Sequence, residues 1–129
     1  MPDKRKILIV DDDKDFVRGL AVRLKTQGFE IATAPDAIAA ISAARKESPD
    51  LILLDYAMPG GTGLTVLERF KSLMVISPII VLSASDILDL PNQATKAGAF
   101  AFLRKPVDNS ILMRTIQRAL GDGAAAVRS

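Results

Sequence analysis

The chain alternates between two hydrophobic periods. Lys6-Ile7-Leu8-Ile9-Val10 is a continuous apolar run rich in β-branched residues, the pattern of a strand buried on both faces. Asp15 to Gln27 then carries Phe16, Leu20 and Leu24 at i, i+4 and i+8, a helical stripe that Gly28 closes. Phe29 to Thr33 reads as a second strand, and Pro35 to Lys46 as a helix with Ile38, Ile41 and Ala44 on its inner face. After the break at Pro49-Asp50, Leu51-Ile52-Leu53-Leu54 is a third buried strand. Met58-Pro59-Gly60-Gly61-Thr62-Gly63 has the composition of a loop, and Leu64 to Ser72 that of a helix with Leu64, Leu67 and Phe70 inward. Pro78 to Leu82 is a fourth strand. A helix precedes Gly98, but Pro91, which cannot sit in a helix interior without cost, leaves its start open. Phe100 to Leu103 is a short fifth strand, and Asn109 to Leu120 a last helix with Leu112, Ile116 and Leu120 aligned.

The resulting order, βαβαβαβαβα, predicts an α/β fold: a parallel sheet with helices on both faces, doubly wound. The 129 residues suit one domain with one sizeable core, taken as 1–121, with 122–129 as a flexible tail or linker stub. No apolar run approaches the roughly 20 residues of a membrane span, and the start of the chain lacks the apolar stretch of a signal peptide.

Composition narrows the chemistry further. There is no cysteine and no histidine, which excludes disulfides, thiolate or imidazole metal sites, cysteine nucleophiles and Ser-His triads. Acid–base or metal chemistry must therefore use carboxylates, hydroxyls and lysine. The absence of cysteine fits a cytoplasmic protein. The net charge of +2 comes from 17 basic and 15 acidic residues, and the basic ones are scattered. With no Trp and one Tyr there is little for base stacking, so neither nucleic-acid nor membrane binding is expected.

In a doubly wound sheet, ligands bind outside the carboxyl ends of the strands. Asp11, Asp12 and Asp13 follow the first strand, Asp55 the third, Ser83 the fourth, and Arg104, Lys105 and Pro106 the fifth. One aspartate there is explained as a helix cap, and Asp13 is the natural candidate. Three together repel one another, a penalty that a divalent cation such as Mg²⁺ removes. Ser83 alone would read as a cap and Lys105 alone as a solvated lysine. Facing a carboxylate cluster, Lys105 becomes a counter-charge.

Taken together these segments resemble the receiver domain of two-component response regulators, from Lys6 to about Leu120. The resemblance rests on Ile7-Leu8-Ile9-Val10-Asp11-Asp12-Asp13, on Leu51 to Gly60 with Asp55 and Gly63, on Pro78 to Ala84, and on Gly98 to Pro106. It implies a five-stranded parallel sheet of order 2-1-3-4-5, the flavodoxin-like arrangement, and a phosphoacceptor role for Asp55. The donor would be the phosphohistidine of a sensor histidine kinase or histidine phosphotransfer protein, or a small phosphodonor. Asp11, Asp12, Asp55 and the Ala57 backbone carbonyl would hold Mg²⁺, with Mn²⁺ or Ca²⁺ able to substitute. Lys105 and Ser83 would assist transfer, Met58 would pack beneath the site, and Gly60 and Gly63 would let the loop turn. Ser83 and Phe102 would form the switch, read out on the surface from about Pro91 to Leu120. The implied partners also include a C-terminal output domain or a separate effector, and a phosphorylation-dependent homodimer. The domain would act as a signalling phosphoacceptor rather than a metabolic enzyme.

Several departures from the family pattern stand out. The switch residues are Ser83 and Phe102 where Thr and Tyr are common, and the flanking Ala57 and Ser85 are small. Pro91 falls within the expected fourth helix, which should start late or be distorted and so leaves the dimer mode open. Three other classes compete. A haloacid-dehalogenase-like phosphatase would use Asp11 and Asp13, but Lys14 and Asp15 follow where Thr or Val is needed. A flavodoxin-like FMN binder would need a hydroxyl- and glycine-rich phosphate loop where the three aspartates stand. A degenerate receiver, acting as a phosphorylation-independent binding module, would normally have lost one of the acidic residues or the lysine.

Overall fold

The computed structural model describes residues 4–58, 61–84 and 89–121, without the side chains of 58 and 61. Five strands form one parallel sheet: β1 (Lys6–Val10), β2 (Glu30–Ala34), β3 (Leu51–Asp55), β4 (Ile79–Ser83) and β5 (Ala101–Arg104), in spatial order β2-β1-β3-β4-β5. The helices between and after them are α1 (Lys14–Thr26), α2 (Ala37–Glu47), α3 (Gly63–Ser72), α4 (Leu90–Lys96) and α5 (Asn109–Ala119). The doubly wound architecture and the 2-1-3-4-5 order are both present.

The sheet explains the two kinds of strand sequence. β3 and β4 are buried at every position and β1 at all but its first, because helices cover both faces. The edge strands β2 and β5 are only partly covered. Side-chain alternation divides the core into two layers. Leu8, Val10, Ile52, Leu54 and Val81 pack with α2, α3 and α4. Ile7, Ile9, Leu51, Leu53, Ile80 and Leu82 pack with α1 and α5.

Element ends differ from the sequence pattern by small, explicable amounts. The second and fifth strands run one residue later than the apolar runs, because backbone pairing continues to Ala34 and Arg104. Asp13, Asp36 and Asp108 cap α1, α2 and α5 by accepting a backbone N–H three residues on. The second helix therefore starts at Ala37 rather than Pro35. Pro91 lies in the first turn of α4, where its missing N–H costs nothing.

The expected inner face of α2 needs correction. Ala40 and Ala44 are buried and Ile41 is half-buried, but Ile38 is 83% exposed. Two residues turn a helix by about 200°, so with Ala40 against the sheet Ile38 must face away. The segment expected to be loop also contains structure: Ala57–Met58 pairs antiparallel with Gly61–Thr62, and α3 begins at Gly63.

Candidate functional site

The site forms where strand register and alternation agree. Val10 pairs with Leu54, so the next residues, Asp11 and Asp55, emerge side by side at the carboxyl edge of the sheet. Alternation gives both the parity of Ile9 and Leu53, the α1/α5 face. Leu103 belongs to that layer as well, so Lys105, two residues on, shares its parity. The chain is fixed there by the Lys105 N–H, which donates to the Ser83 carbonyl at 2.9 Å, and the Lys105–Pro106 peptide is cis.

The Lys105 ammonium donates to Asp11 Oδ2 at 2.8 Å and to Asp55 Oδ1 at 3.1 Å. Both aspartates are buried, at 5% and 7% exposure, and Lys105 is mostly covered. The second oxygen of Asp11 accepts the Asp13 N–H at 2.9 Å, which orients its carboxylate. Asp12 is exposed, and one oxygen from each of Asp11, Asp12 and Asp55 lies within 4.8 Å of the others. Three carboxylate oxygens so close are a fitting donor set for a hard divalent cation. Beside them a hollow of ≈ 390 Å³, lined among others by Val17, Arg18, Thr33 and Pro35, opens between α1 and the end of β2.

The electrostatics are dominated by burial. Burial pushes the Asp55 carboxyl above its ordinary range; the hydrogen bond and charge of Lys105 pull it back, while Asp11 and Asp12 push it further up. Burial alone would lower Lys105, but its bonds to Asp11 and Asp55 outweigh that and raise it. One ammonium thus stabilises two carboxylates and neutralises less than the charge gathered around it.

The remaining expected residues occupy a second position. Ser83 is buried at the end of β4, with the parity of Val81, and Phe102 is half-buried opposite Val81 in the layer of α2, α3 and α4. Ser83 and Phe102 therefore lie on one face of the sheet, and Asp11, Asp55 and Lys105 have the parity of the other. Ala57 opens the short ribbon after Asp55. Asp13 is a helix cap, as expected. Gly60, Ser85 and the Met58 side chain lie outside the described residues.

Gly63 does something other than turn a loop. Its φ is not positive; instead a Cβ there would stand 2.8 Å from the Asp55 carbonyl oxygen and 2.8 Å from Tyr56 Cα. The Gly63 N–H donates to the Tyr56 carbonyl, so α3 starts pressed against the backbone of the candidate phosphoacceptor. The sequence pattern also gives no separate role to Phe16, whose ring centroid is 4.2 Å from Lys105 Nζ. In the sequence pattern it is one apolar position of the α1 stripe. The available signal was its place one turn after the Asp13 cap, on the face that meets the strand ends.

The family model for the response regulator receiver domain matches residues 7–117. Response regulator PleD of Caulobacter vibrioides is 35% identical over 114 residues, 87% of this chain and 25% of that protein. The chain spans between a quarter and about half of the length of the curated relatives it matches. Among solved structures, a CheY-like receiver domain protein of Methanospirillum hungatei superimposes with a TM-score of 0.88 at 27% identity, covering 96% of this chain and 99% of that one. A chain of the CheX-CheY-BeF3-Mg complex of Borrelia burgdorferi gives 0.84 at 27% identity, covering 90% and 89%. With the doubly wound sheet and the acidic cluster at its carboxyl edge, these matches show that the chain belongs to the response regulator receiver domain family of two-component systems.

Proposed function

We propose that Asp55 is the phosphoacceptor of this receiver domain, and that a histidine kinase or histidine phosphotransfer protein is the donor. The observation that carries this reading is the Lys105 ammonium shared between buried Asp55 and buried Asp11, with Asp12 beside them. An oxygen of Asp55 attacks the donor phosphorus; the P–N bond breaks, and its electron pair returns to the imidazole, leaving an acyl phosphate. The attack sets an anion against an anionic group, so positioning and neutralised oxygens make the difference. Lys105 is already placed to meet the phosphoryl group as it arrives on Asp55. Ser83 supplies a hydroxyl donor from the neighbouring strand end.

Mg²⁺ suits the oxygen-only donor set; held by Asp11, Asp12, Asp55 and the Ala57 carbonyl, it would add positive charge at the phosphoryl oxygens. The Borrelia neighbour's complex holds BeF3 and Mg, which supports the same reading here. Adding close to two negative charges at Asp55 draws the Ser83 hydroxyl toward the phosphoryl group, and Phe102, on the same face, moves into the space vacated. The shift in population is read on α4, β5 and α5. The domain works in the cytoplasm as a switch rather than a metabolic enzyme, alone or joined to an output domain.

Intact-protein mass after incubation with acetyl phosphate tests this. A single phosphoryl adduct should form with Mg²⁺, fail to form with EDTA, and be absent from Asp55→Asn. Equal labelling of the Asp55→Asn variant would remove Asp55 from the role.

A further inference from the structure

Charge is segregated along this chain. Residues 1–89 hold eleven basic and thirteen acidic side chains, whereas residues 90–121, which build α4, β5 and α5, hold five basic and one acidic. A cation in the last turn of a helix is ordinary, because it meets the negative end of the helix dipole. α1, α2 and α3 each end in such cations, and each also carries an acid: Asp15, Glu47 and Glu68. α4 and α5 end in Lys96 and Arg118, α5 adds Arg114, and neither helix contains an acidic residue. The dipole explains the terminal cations but not the missing anions.

The fold puts these cations on one open edge. β5 is an outer strand of the sheet, with α4 in one core layer beside it and α5 in the other. Arg5, just before β1, donates from its guanidinium to the Leu120 carbonyl at 3.4 Å, so α5 ends at the amino edge of the sheet, where the chain passes from α4 into β5. Lys96, Arg118 and the 44% exposed Phe100 therefore lie toward that end. Ile111, Arg114 and Arg118 recur at i, i+3 and i+7, an exposed stripe about 10 Å long. Ile111 itself is 47% exposed. Lys96, Arg114 and Arg118 form no ion pair among the described residues. The acidic caps are already engaged: Asp89 accepts from the Asn92 amide at 2.7 Å and Asp108 from the Ile111 N–H at 3.0 Å.

We infer that this face takes an acidic amphipathic segment of another protein, its carboxylates on Lys96, Arg114 and Arg118 and its apolar side chains on Phe100 and Ile111. Apolar anchors rimmed by cations suit such a segment better than a nucleic-acid backbone, which offers Ile111 nothing. A second copy of the chain is disfavoured, since pairing through this face sets cation against cation. The inference deepens the output reading of α4, β5 and α5 by naming the partner's chemistry, and it rests on that reading for the effect of phosphorylation.

Fluorescence polarisation with a labelled amphipathic peptide, Leu and Phe on one face and Glu and Asp on the other, tests this on the 129-residue chain. The peptide should bind without phosphorylation, weaken as salt rises, and bind more tightly than the same peptide with Lys and Arg in place of Glu and Asp. Arg114→Glu combined with Arg118→Glu should weaken it at least about tenfold. Arg45→Glu combined with Lys46→Glu, on α2, changes the net charge equally and should weaken it less than about twofold. Ile111→Ser, which leaves the charge alone, should weaken it severalfold. All five side chains are exposed, and unchanged melting temperatures verify that the variants fold. Acetyl phosphate with Mg²⁺, the adduct followed by intact mass, should tighten binding further. An absent adduct strikes the phosphoacceptor reading, whereas absent peptide binding in a chain that carries the adduct strikes this one. Equal loss in the two charge-reversed pairs overturns the inference, as does tighter binding of a single-stranded oligonucleotide of similar length. A dimer abolished by the Arg114→Glu, Arg118→Glu pair overturns it in favour of a second copy.

Discussion

The Lys105 ammonium sits 4.2 Å from the centroid of the Phe16 ring while it bonds Asp11 and Asp55. The ring face is an attractive surface for a cation and excludes water from one side of it. Phe16 therefore acts on the site through Lys105, holding the ammonium over the carboxylates. Phe16→Leu keeps the apolar bulk of the α1 stripe and removes the π face. A contact of this kind is worth about 0.5–2 kcal/mol, so phosphorylation by acetyl phosphate should slow roughly 2- to 30-fold. Mg²⁺ affinity, followed by titration, should change little. An unchanged rate would reduce Phe16 to a packing residue.

Gly63 gives a steric prediction. A methyl group there meets the Asp55 carbonyl and Tyr56 Cα, both backbone, at 2.8 Å, and neither can rotate aside. Gly63→Ala should cost about 1–3 kcal/mol, the range for overpacking a tight site. It should also lower phosphorylation, because the backbone that must yield carries Asp55. Urea unfolding and adduct formation measure the two effects; a variant as stable as the parent would mean that α3 shifts freely.

These two residues show where a sequence stops being legible. The layers of the fold follow from period alone, since a strand buried on both faces has few alternatives to runs such as Leu51–Leu54. The acidic cluster is legible because Asp11 and Asp55 each end such a run, and the fold brings strand ends together. Ile38 misled because a helix face spaced at i, i+3 and i+6 drifts, and small Ala40 and Ala44 packed closest to the sheet instead. Phe16 and Gly63 act through contacts between distant segments, which no local pattern encodes.

The Asp55 carboxyl, raised mainly by burial, makes stability depend on pH. A raised folded pKa favours the protonated form in the native state. The stabilisation is complete below the ordinary value of 3.8 and is lost as pH rises through the higher folded value. At neutral pH without divalent cation the native state thus carries a penalty that Asp55→Asn removes. The variant should be more stable than the parent at pH 7 in EDTA, by on the order of 1 kcal/mol or about 4 °C. The difference should shrink as pH is lowered through the folded value and vanish below 3.8, where both side chains are neutral in folded and unfolded chains alike. Thermal melts of both proteins across that range check the sign; a parent more stable at pH 7 would show that Lys105 outweighs burial.

Divalent cation should reverse that penalty, and Asp12 is the residue that isolates the effect. Asp11 is tied to Lys105 and to the Asp13 N–H, so replacing it disturbs the fold as well as the donor set. Asp12 is exposed, so in EDTA Asp12→Asn should leave stability within about 0.5 kcal/mol of the parent. With Mg²⁺ at ten times its dissociation constant, the parent should gain about 1.4 kcal/mol, since a ligand of the native state stabilises by mass action. At the same Mg²⁺ concentration Asp12→Asn should gain little, because its affinity falls with the loss of one charged oxygen from the cluster. Melting curves with Mg²⁺ and with EDTA separate the donor role from any structural one. An undiminished Mg²⁺ shift in Asp12→Asn would place the cation on Asp11 and Asp55 without it.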